Sequence, residues 1–489
     1  MSVPELGIGL TYHPVLDRVI EEHPGLIQVL EIEPQTHWVK PDPLSHVCLV
    51  DKLALKTIQS YPCHKLMHSI GFPVGGSRLP DEIQYDLHRE MIDALQVPWM
   101  SEHLSFNKAA YNNHEYLTGF MLPPLQTRDG IKAAVRSIEV MKSKIPVPLA
   151  VETGVNYLRR LPTQISDGKF LAHVTEEADC GILLDLHNLL TNQINGRQTI
   201  DEFLSEIPLD RVWELHVAGG KMRGNYYIDS HSGKVPEQLL EKAEKLIPRL
   251  PNLGAIIFEM FPDYVAGIGI ESVRKDLQHL NRIWDNRHKK RSANYQRSKH
   301  ENILQDKIGT ISAITPTEWE NHLAALVTSQ TELTPLSALN EDPAIELIRG
   351  LIQSFRASMV SESFRYTARL LMISLGIEEY EKLLSDFWKE RTPEPFASSE
   401  GENFVRYVES RNIDVFGLSE TIAFERAYIQ TLMDGKDRIV PFSFDPLSFM
   451  KALGDGRVPQ KIYEGNYELA LEGGEPLDSP IFHHQAVIH

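Results

Sequence analysis

Residues 183–188 (LLDLHN), 213–220 (WELHVAGG) and 227–233 (YIDSHSG) decide how this chain of 489 residues is read. Asp185 and His187 stand two apart, as do Asp229 and His231. On an extended backbone, residues two apart point the same way, so each pair is expected to offer an oxygen and a nitrogen to one spot. Between the pairs, His216 sits near the end of an apolar run, 212–217, otherwise broken only by Glu214. Imidazole with carboxylate suits iron, zinc or manganese. One Asp-x-His pair is weak evidence for a metal, but two of them bracketing a histidine at a strand end are a constellation.

Working outward, the runs 181–185 and 212–216 are two of eight of the same kind. The others are 6–10, 28–33, 65–68, 98–103, 146–152 and 255–259. Amphipathic stretches separate them, at 82–95, 127–144, from near Pro162, at 200–207 and at 236–246, with 270–286 closing the series. The runs recur about every 36 residues, a spacing that suits βα units. Strict alternation of β and α predicts a parallel sheet closed as a (β/α)8 TIM barrel. An open doubly wound sheet is the competing arrangement, but no glycine-rich dinucleotide loop follows the first run.

The runs after the first end in Glu33, His68, His103, Glu152, Asp185, His216 and Glu259. Barrel chemistry sits at the C-terminal ends of the strands. Ends that were polar only because they meet solvent would mix Lys, Ser, Asn, Thr and Glu, yet here they are all histidine or carboxylate, with no Lys or Arg among them. Carboxylates converging on one mouth repel each other unless cations join them. The expected metal ligands are His68, His103, Glu152, Asp185, His187, His216, Asp229, His231 and Glu259. Glu152, Asp185 and His216 are taken as the catalytic core. A single ion uses three or four protein ligands, so nine imply two or three ions. Glu102 is left out because on an ideal strand it points away from His103.

Composition narrows the class. Hydrophobic content of 42% and charged content of 24% are those of a globular protein. No run of about 18 apolar residues exists to span a membrane. No signal-peptide pattern opens the chain, and three scattered cysteines fit no disulfide scaffold, so the cytoplasm is the expected compartment. A net charge of −18 argues against nucleic acid as partner. The basic stretch 284–307 reads as a solvated helix end running into a linker, with a patch for an acidic peptide as the alternative. From about 315 the pattern turns to helices without intervening strands, at 344–356, 363–375, 378–389, 400–410 and 419–433. Thr315 to Glu318 form a cap and first turn, and 441–474 has room for a few strands. The expected organisation is therefore a barrel over 1–285, a linker over 286–313 and a mainly helical α+β domain over 314–489.

At GIGL (7–10), MHSIG (67–71), SEHLSF (101–106), VETGVNYL (151–158), LLDLHNLLTNQING (183–196), ELHVAGG (214–220), IDSHSG (228–233) and FEM (258–260), the chain resembles the multinuclear non-haem iron-dependent oxidative enzymes. These are xylose-isomerase-like barrels that include the methanobactin biosynthesis oxidase. The resemblance implies two or three irons, a mixed-valent diiron pair among them, that use O2 to modify cysteine or another residue of a ribosomally made precursor peptide. Relatives often carry Asn at the position of Thr153, and they alternate between His and Asn at that of His187. The later segments 364–390 and 417–430 resemble, more loosely, the separate partner proteins that present the peptide to such oxidases, with Arg365, Arg369, Glu425 and Arg426 carrying the likeness. The rival expectations are a divalent-metal sugar isomerase or hydrolase on the same barrel, and a metal-binding adaptor without catalysis. The oligomeric state has no signature in the sequence.

Overall fold

The computed structural model describes residues 3–23, 25–43, 47–288, 314–457 and 464–474. Eight parallel strands close into a barrel. They are β1 (Gly7–Thr11), β2 (Val29–Ile32), β3 (His64–Ser69), β4 (Met100–His103), β5 (Leu149–Glu152), β6 (Gly181–Asp185), β7 (Val212–Val217) and β8 (Ala255–Phe258). Each strand pairs with its neighbours in sequence and β8 pairs with β1, which closes the ring. The eight runs read from the sequence are these strands, and the expected TIM barrel is the fold. The strands are short and nearly all apolar because helices cover their outer faces and side chains fill the interior. Val29, Leu66, Trp99, Ala150, Trp213, Ala255 and Ile257 form one buried cluster of barrel residues.

Register aligns the strand ends. His103 on β4 is opposite Glu152 on β5, and Asp185 on β6 is opposite His216 on β7. Glu33 and Glu259 come one residue past the ends of β2 and β8. The helix expected from near Pro162 begins later, at Asp167, with Ser166 in the N-cap position. A hairpin that the sequence reading missed, Phe106–Tyr111 with His114–Leu122, follows β4. Its turn residues Asn112 and Asn113 both have positive φ, of 49° and 64°, a conformation that asparagine tolerates in tight hairpins.

The C-terminal region is helical, as expected. Pro316–Val327 opens it with a capping box between Thr315 and Glu318. Ala344–Ser363 is one continuous helix where a shorter one was expected, followed by Arg365–Leu375, Ile377–Glu390, Ala397–Ser410 and Leu418–Asp434. Strands Arg438–Phe444 and Glu464–Leu471 then pair antiparallel around the helix Pro446–Gly454. Glu425 accepts hydrogen bonds from the Tyr366 and Thr367 amides at the start of one helix. Arg369 donates to the Leu453 and Gly454 carbonyls, and Arg426 pairs with Glu402 and Glu409. The residues that carry the likeness to partner proteins are in these cases engaged within the helical region itself.

Two hydrophobic clusters divide that region. One, from Val360 to Leu471, is its own core. The other joins Trp319, Leu323, Ile345, Ile348 and Ile352 to Phe106, Tyr116, Tyr157, Leu158 and Ile228 of the barrel. Burying such a side chain is worth about 1.5–3 kcal/mol, so the first helices are fixed to the barrel by packing as well as by the chain. Polar contacts support the seam. Buried Glu320 accepts from the Ser77 amide and hydroxyl at 2.6 Å each and from Arg78 at 3.1 Å. The linker read at 286–313 and its basic residues lie mostly outside the described residues. Of those described, Arg287 stacks on Trp284 and pairs with Glu5 of the barrel. Among the described residues no helix is long and apolar enough to cross a membrane.

Candidate metal centre

The strand ends deliver the side chains in compact groups. In the first, His68 Nε2 and His103 Nε2 lie 3.4 Å and 3.3 Å from Glu152 Oε2. Each ring is held by its other nitrogen: His68 Nδ1 is 2.9 Å from Ser101 Oγ, and His103 Nδ1 is 3.2 Å from the Ser69 carbonyl oxygen. Anchoring one nitrogen in this way fixes which one turns to the centre. Glu152 Oε1 accepts from Asn188 Nδ2 at 2.6 Å, while Oε2 has no hydrogen-bond partner.

In the second group, Asp185, His216 and Glu259 bring ligand atoms within 4.8 Å of one another. His216 Nδ1 lies 3.1 Å from Glu259 Oε2. Asp185 ends β6 and also caps the helix Leu186–Ile194: its Oδ1 accepts from the His187 and Asn188 amides, leaving Oδ2 without a partner. The third set is looser. His231 Nε2 is 2.8 Å and His187 Nε2 3.5 Å from Asp229 Oδ1, and His231 reaches 3.6 Å from Glu259 Oε2. Phe261 packs on His231, and Tyr227 packs on His187.

All nine residues expected as ligands therefore converge on the C-terminal mouth of the barrel. The reasoning behind the two Asp-x-His pairs needs correction, because neither pair lies on extended backbone. His187 is in the first turn of a helix, and His231 has a φ of 40°. Glu102, expected to point away from His103, instead accepts from the His103 and Phe72 amides, and its Oε1 lies 3.5 Å from His103 Nδ1. Sequence reasoning passed over Glu31 and Glu214, which are fully buried beside His216. Glu31 Oε2 lies 3.0 Å from His216 Nε2, and Glu214 Oε1 lies 3.7 Å from it. A charged residue inside an apolar strand was the available signal. Asn188 was also missed.

The electrostatics favour a cation. Burial raises the Glu152 carboxyl to about 8, with Asp185 and Glu259 adding to the rise and His103 opposing it. Burial likewise raises Asp185, and Glu259 pushes it further. Glu33, at the same mouth, is raised to about 7 by burial and by Glu259. Burial alone would lower His103, but Glu152 and Glu102 carry it up to about 9. Buried carboxylates in this state are poorly compensated by protein alone, and a divalent ion at this mouth would supply the missing charge.

The helical region reaches this centre through the loop that bears Asp229 and His231. The Asp229 amide donates to Tyr157 Oη at 3.0 Å, and the preceding Ile228 is buried in the cluster shared with the helices. Arg223 donates to Ser354 Oγ at 3.2 Å.

Comparison with known proteins places the barrel. A family model described as "RiPP precursor modification enzyme MbnB/TglH/ChrH" matches residues 5–265. A UPF0276 protein of Streptomyces avermitilis is 29% identical over 263 residues, which cover 53% of this chain and 52% of that protein. The match thus spans about half the length of that relative. A UPF0276 protein of Chromobacterium violaceum is 26% identical over 229 residues, covering 46% of this chain and 81% of its own. Among solved structures, a xylose isomerase domain protein from Planctomyces limnophilus aligns at 10% identity with a TM-score of 0.38, over 59% of this chain and 99% of its own. Endonuclease IV from Thermus thermophilus aligns at 15% identity with a TM-score of 0.34, over 58% and 100%.

Proposed function

The chain belongs to the RiPP precursor modification enzyme family, matched over residues 5–265, and from that premise we propose that it oxidises a ribosomally made peptide, at cysteine or another side chain, using iron and O2. One observation carries the metal part of this reading. Glu152 Oε2, Asp185 Oδ2 and both ring nitrogens of His187 are buried without hydrogen-bond partners. An unsatisfied buried polar group costs about 1–3 kcal/mol, a cost that coordination would remove. The donor set of imidazole and carboxylate suits iron.

In this proposal His68, His103 and Glu152 hold one ion, and Asp185, His216 and Glu259 a second. His187, Asp229 and His231 hold a third where it is present. Iron, when bound, supplies one-electron chemistry towards O2. The protein's own part is to fix the ligands. Ser101 and the Ser69 carbonyl orient His68 and His103, Asn188 fixes Glu152, and the helix cap fixes Asp185. Phe261 and Tyr227 set aromatic rings beside the third set.

The proposal divides the chain into a catalytic barrel over 1–285, a connecting segment over 286–313 and a peptide-presenting region over 314–489. Among the described residues, strand Glu464–Leu471 pairs only with Arg438–Phe444, so its other edge is open to an extended peptide. Anaerobically purified, iron-loaded protein given a cysteine-containing precursor peptide tests the reading by mass spectrometry and O2 uptake. Modification that requires both iron and O2, and that is lost in Asp185→Asn, supports it. Turnover that continues under argon would instead favour an isomerase or hydrolase.

A further inference from the structure

The three strand-end histidines are not anchored alike. The nearest oxygens to Nδ1 of His68 and His103 are neutral, with Glu102 Oε1 standing farther off at 3.5 Å from that of His103, so both turn Nε2 to the centre. His216 is reversed, with Nε2 towards Glu31 and Glu214 and Nδ1 towards Glu259. Both carboxylates lie inside their strands, two residues before Glu33 and His216, and both are fully buried. Each is itself fixed by a donor. Thr11 Oγ1 donates to Glu31 Oε1 at 3.0 Å, and Trp99 Nε1 donates to Glu214 Oε2 at 3.0 Å. The remaining oxygen of each is left facing one imidazole nitrogen, and that of Glu214 has no hydrogen-bond partner.

Two buried carboxylates are an expensive way to orient one ring, since a hydroxyl suffices for His68. What a carboxylate adds is basicity: an imidazole whose N–H is held by one is a stronger metal donor. We propose that Glu31, backed by Glu214, is a positioning residue that holds the His216 Nε2–H and presents Nδ1, as a strengthened donor, to an ion between Asp185 and Glu259. The second metal position is then unlike the first in both the nitrogen it uses and the charge behind it. An ion among Glu31, Glu214 and His216 themselves is disfavoured, because a neutral imidazole has one lone pair and can serve only one of the two places.

This inference rests on the metal reading above, and the test separates the two. Metal-free, full-length protein is titrated with Co(II) by equilibrium dialysis, and the visible d–d spectrum is followed. Glu31→Ala should weaken one site by about 10–100-fold and shift its band while the other sites hold. Glu31→Gln, whose amide oxygen still accepts the Nε2–H but carries no charge, should recover only part of that affinity, the remainder being what the carboxylate adds to donor strength. Adding Glu31→Ala to His216→Ala should cost nothing further. Thr11→Val, which removes only the donor beneath Glu31, should weaken the same site several-fold and serves if Glu31→Ala does not fold. Unchanged Co(II) binding in Glu31→Ala, or an equal loss at every site with no recovery in Glu31→Gln, would overturn the positioning role. Wild-type protein that fails to bind Co(II) at all would overturn the metal reading instead.

Discussion

Replacing Ile228 by Ala tests whether the helical region holds the third set of ligands. Ile228 is buried at the end of a short strand, immediately before Asp229, and packs in the cluster that contains Trp319, Leu323, Ile348 and Ile352. Truncating a buried isoleucine to alanine costs about 2–5 kcal/mol, including the cavity left behind. That cost falls on a loop held besides by the pairing of Ile228 with Lys221, the Tyr157 contact to the Asp229 amide, the Asn195 bonds to Tyr227, the Arg223 contact to Ser354, and backbone bonds from the Ser232 amide to Gly219 and from the Phe261 amide to His231. If only about 1.4 kcal/mol of it is felt as loosening of the Asp229–His231 loop, metal affinity there drops tenfold. The assay is iron per chain after gel filtration, read beside the thermal midpoint. Ile228→Ala should lose the ion of the third set and keep the other two. Leu371→Ala, in the separate core of the helical region, should lower the midpoint by a similar amount without metal loss. Full occupancy in Ile228→Ala despite a lowered midpoint would refute the coupling.

Further outcomes follow from the same geometry. Asp185→Asn keeps the oxygen that caps the helix Leu186–Ile194 but loses the charge, so it should release metal with unchanged circular dichroism; unfolding instead would mean that the carboxylate is chiefly structural. Metal-free protein should lose stability as pH rises from about 4.5, the ordinary glutamate value, to about 9. Glu152 at about 8 and His103 at about 9 both stand above their ordinary values, so each stabilises the fold at low pH and stops doing so as it deprotonates. Each proton released contributes up to about 1.4 kcal/mol per pH unit. Metal-loaded protein should lack this decline, and parallel melting curves for the two forms would contradict the assignment. A protease site inserted between 289 and 313, once cut, should leave two fragments that co-elute, because the Trp319 cluster and the Glu320 contacts to Ser77 and Arg78 hold the seam. Separate elution would show that the linker alone joins them.

The barrel was readable because each strand is a short apolar run and all but the first have His, Asp or Glu at or next to their ends, a pattern local to a few residues. The convergence of the six strand-end candidates, His68, His103, Glu152, Asp185, His216 and Glu259, followed from topology: once the strands are parallel and closed, their ends share one mouth. Other features had a misleading local signature, an overlooked one or none. Asp185 looked like an extended-strand ligand but is equally a helix cap, and His231 reaches the centre through a left-handed turn. Glu31 and Glu214 were visible as charges inside apolar runs, yet attention to strand ends alone passed them by. The seam between residues 106–228 and 319–352 depends on long-range packing, which no periodicity records.

The central claim is a multinuclear centre at the mouth of the barrel, and counting metal tests it most directly. Protein loaded with Fe(II) under argon, freed of excess iron and analysed by elemental analysis should hold two or three irons per chain, since nine candidate ligands are more than one ion can use. Well-folded protein that holds one iron or none under these conditions would contradict the account.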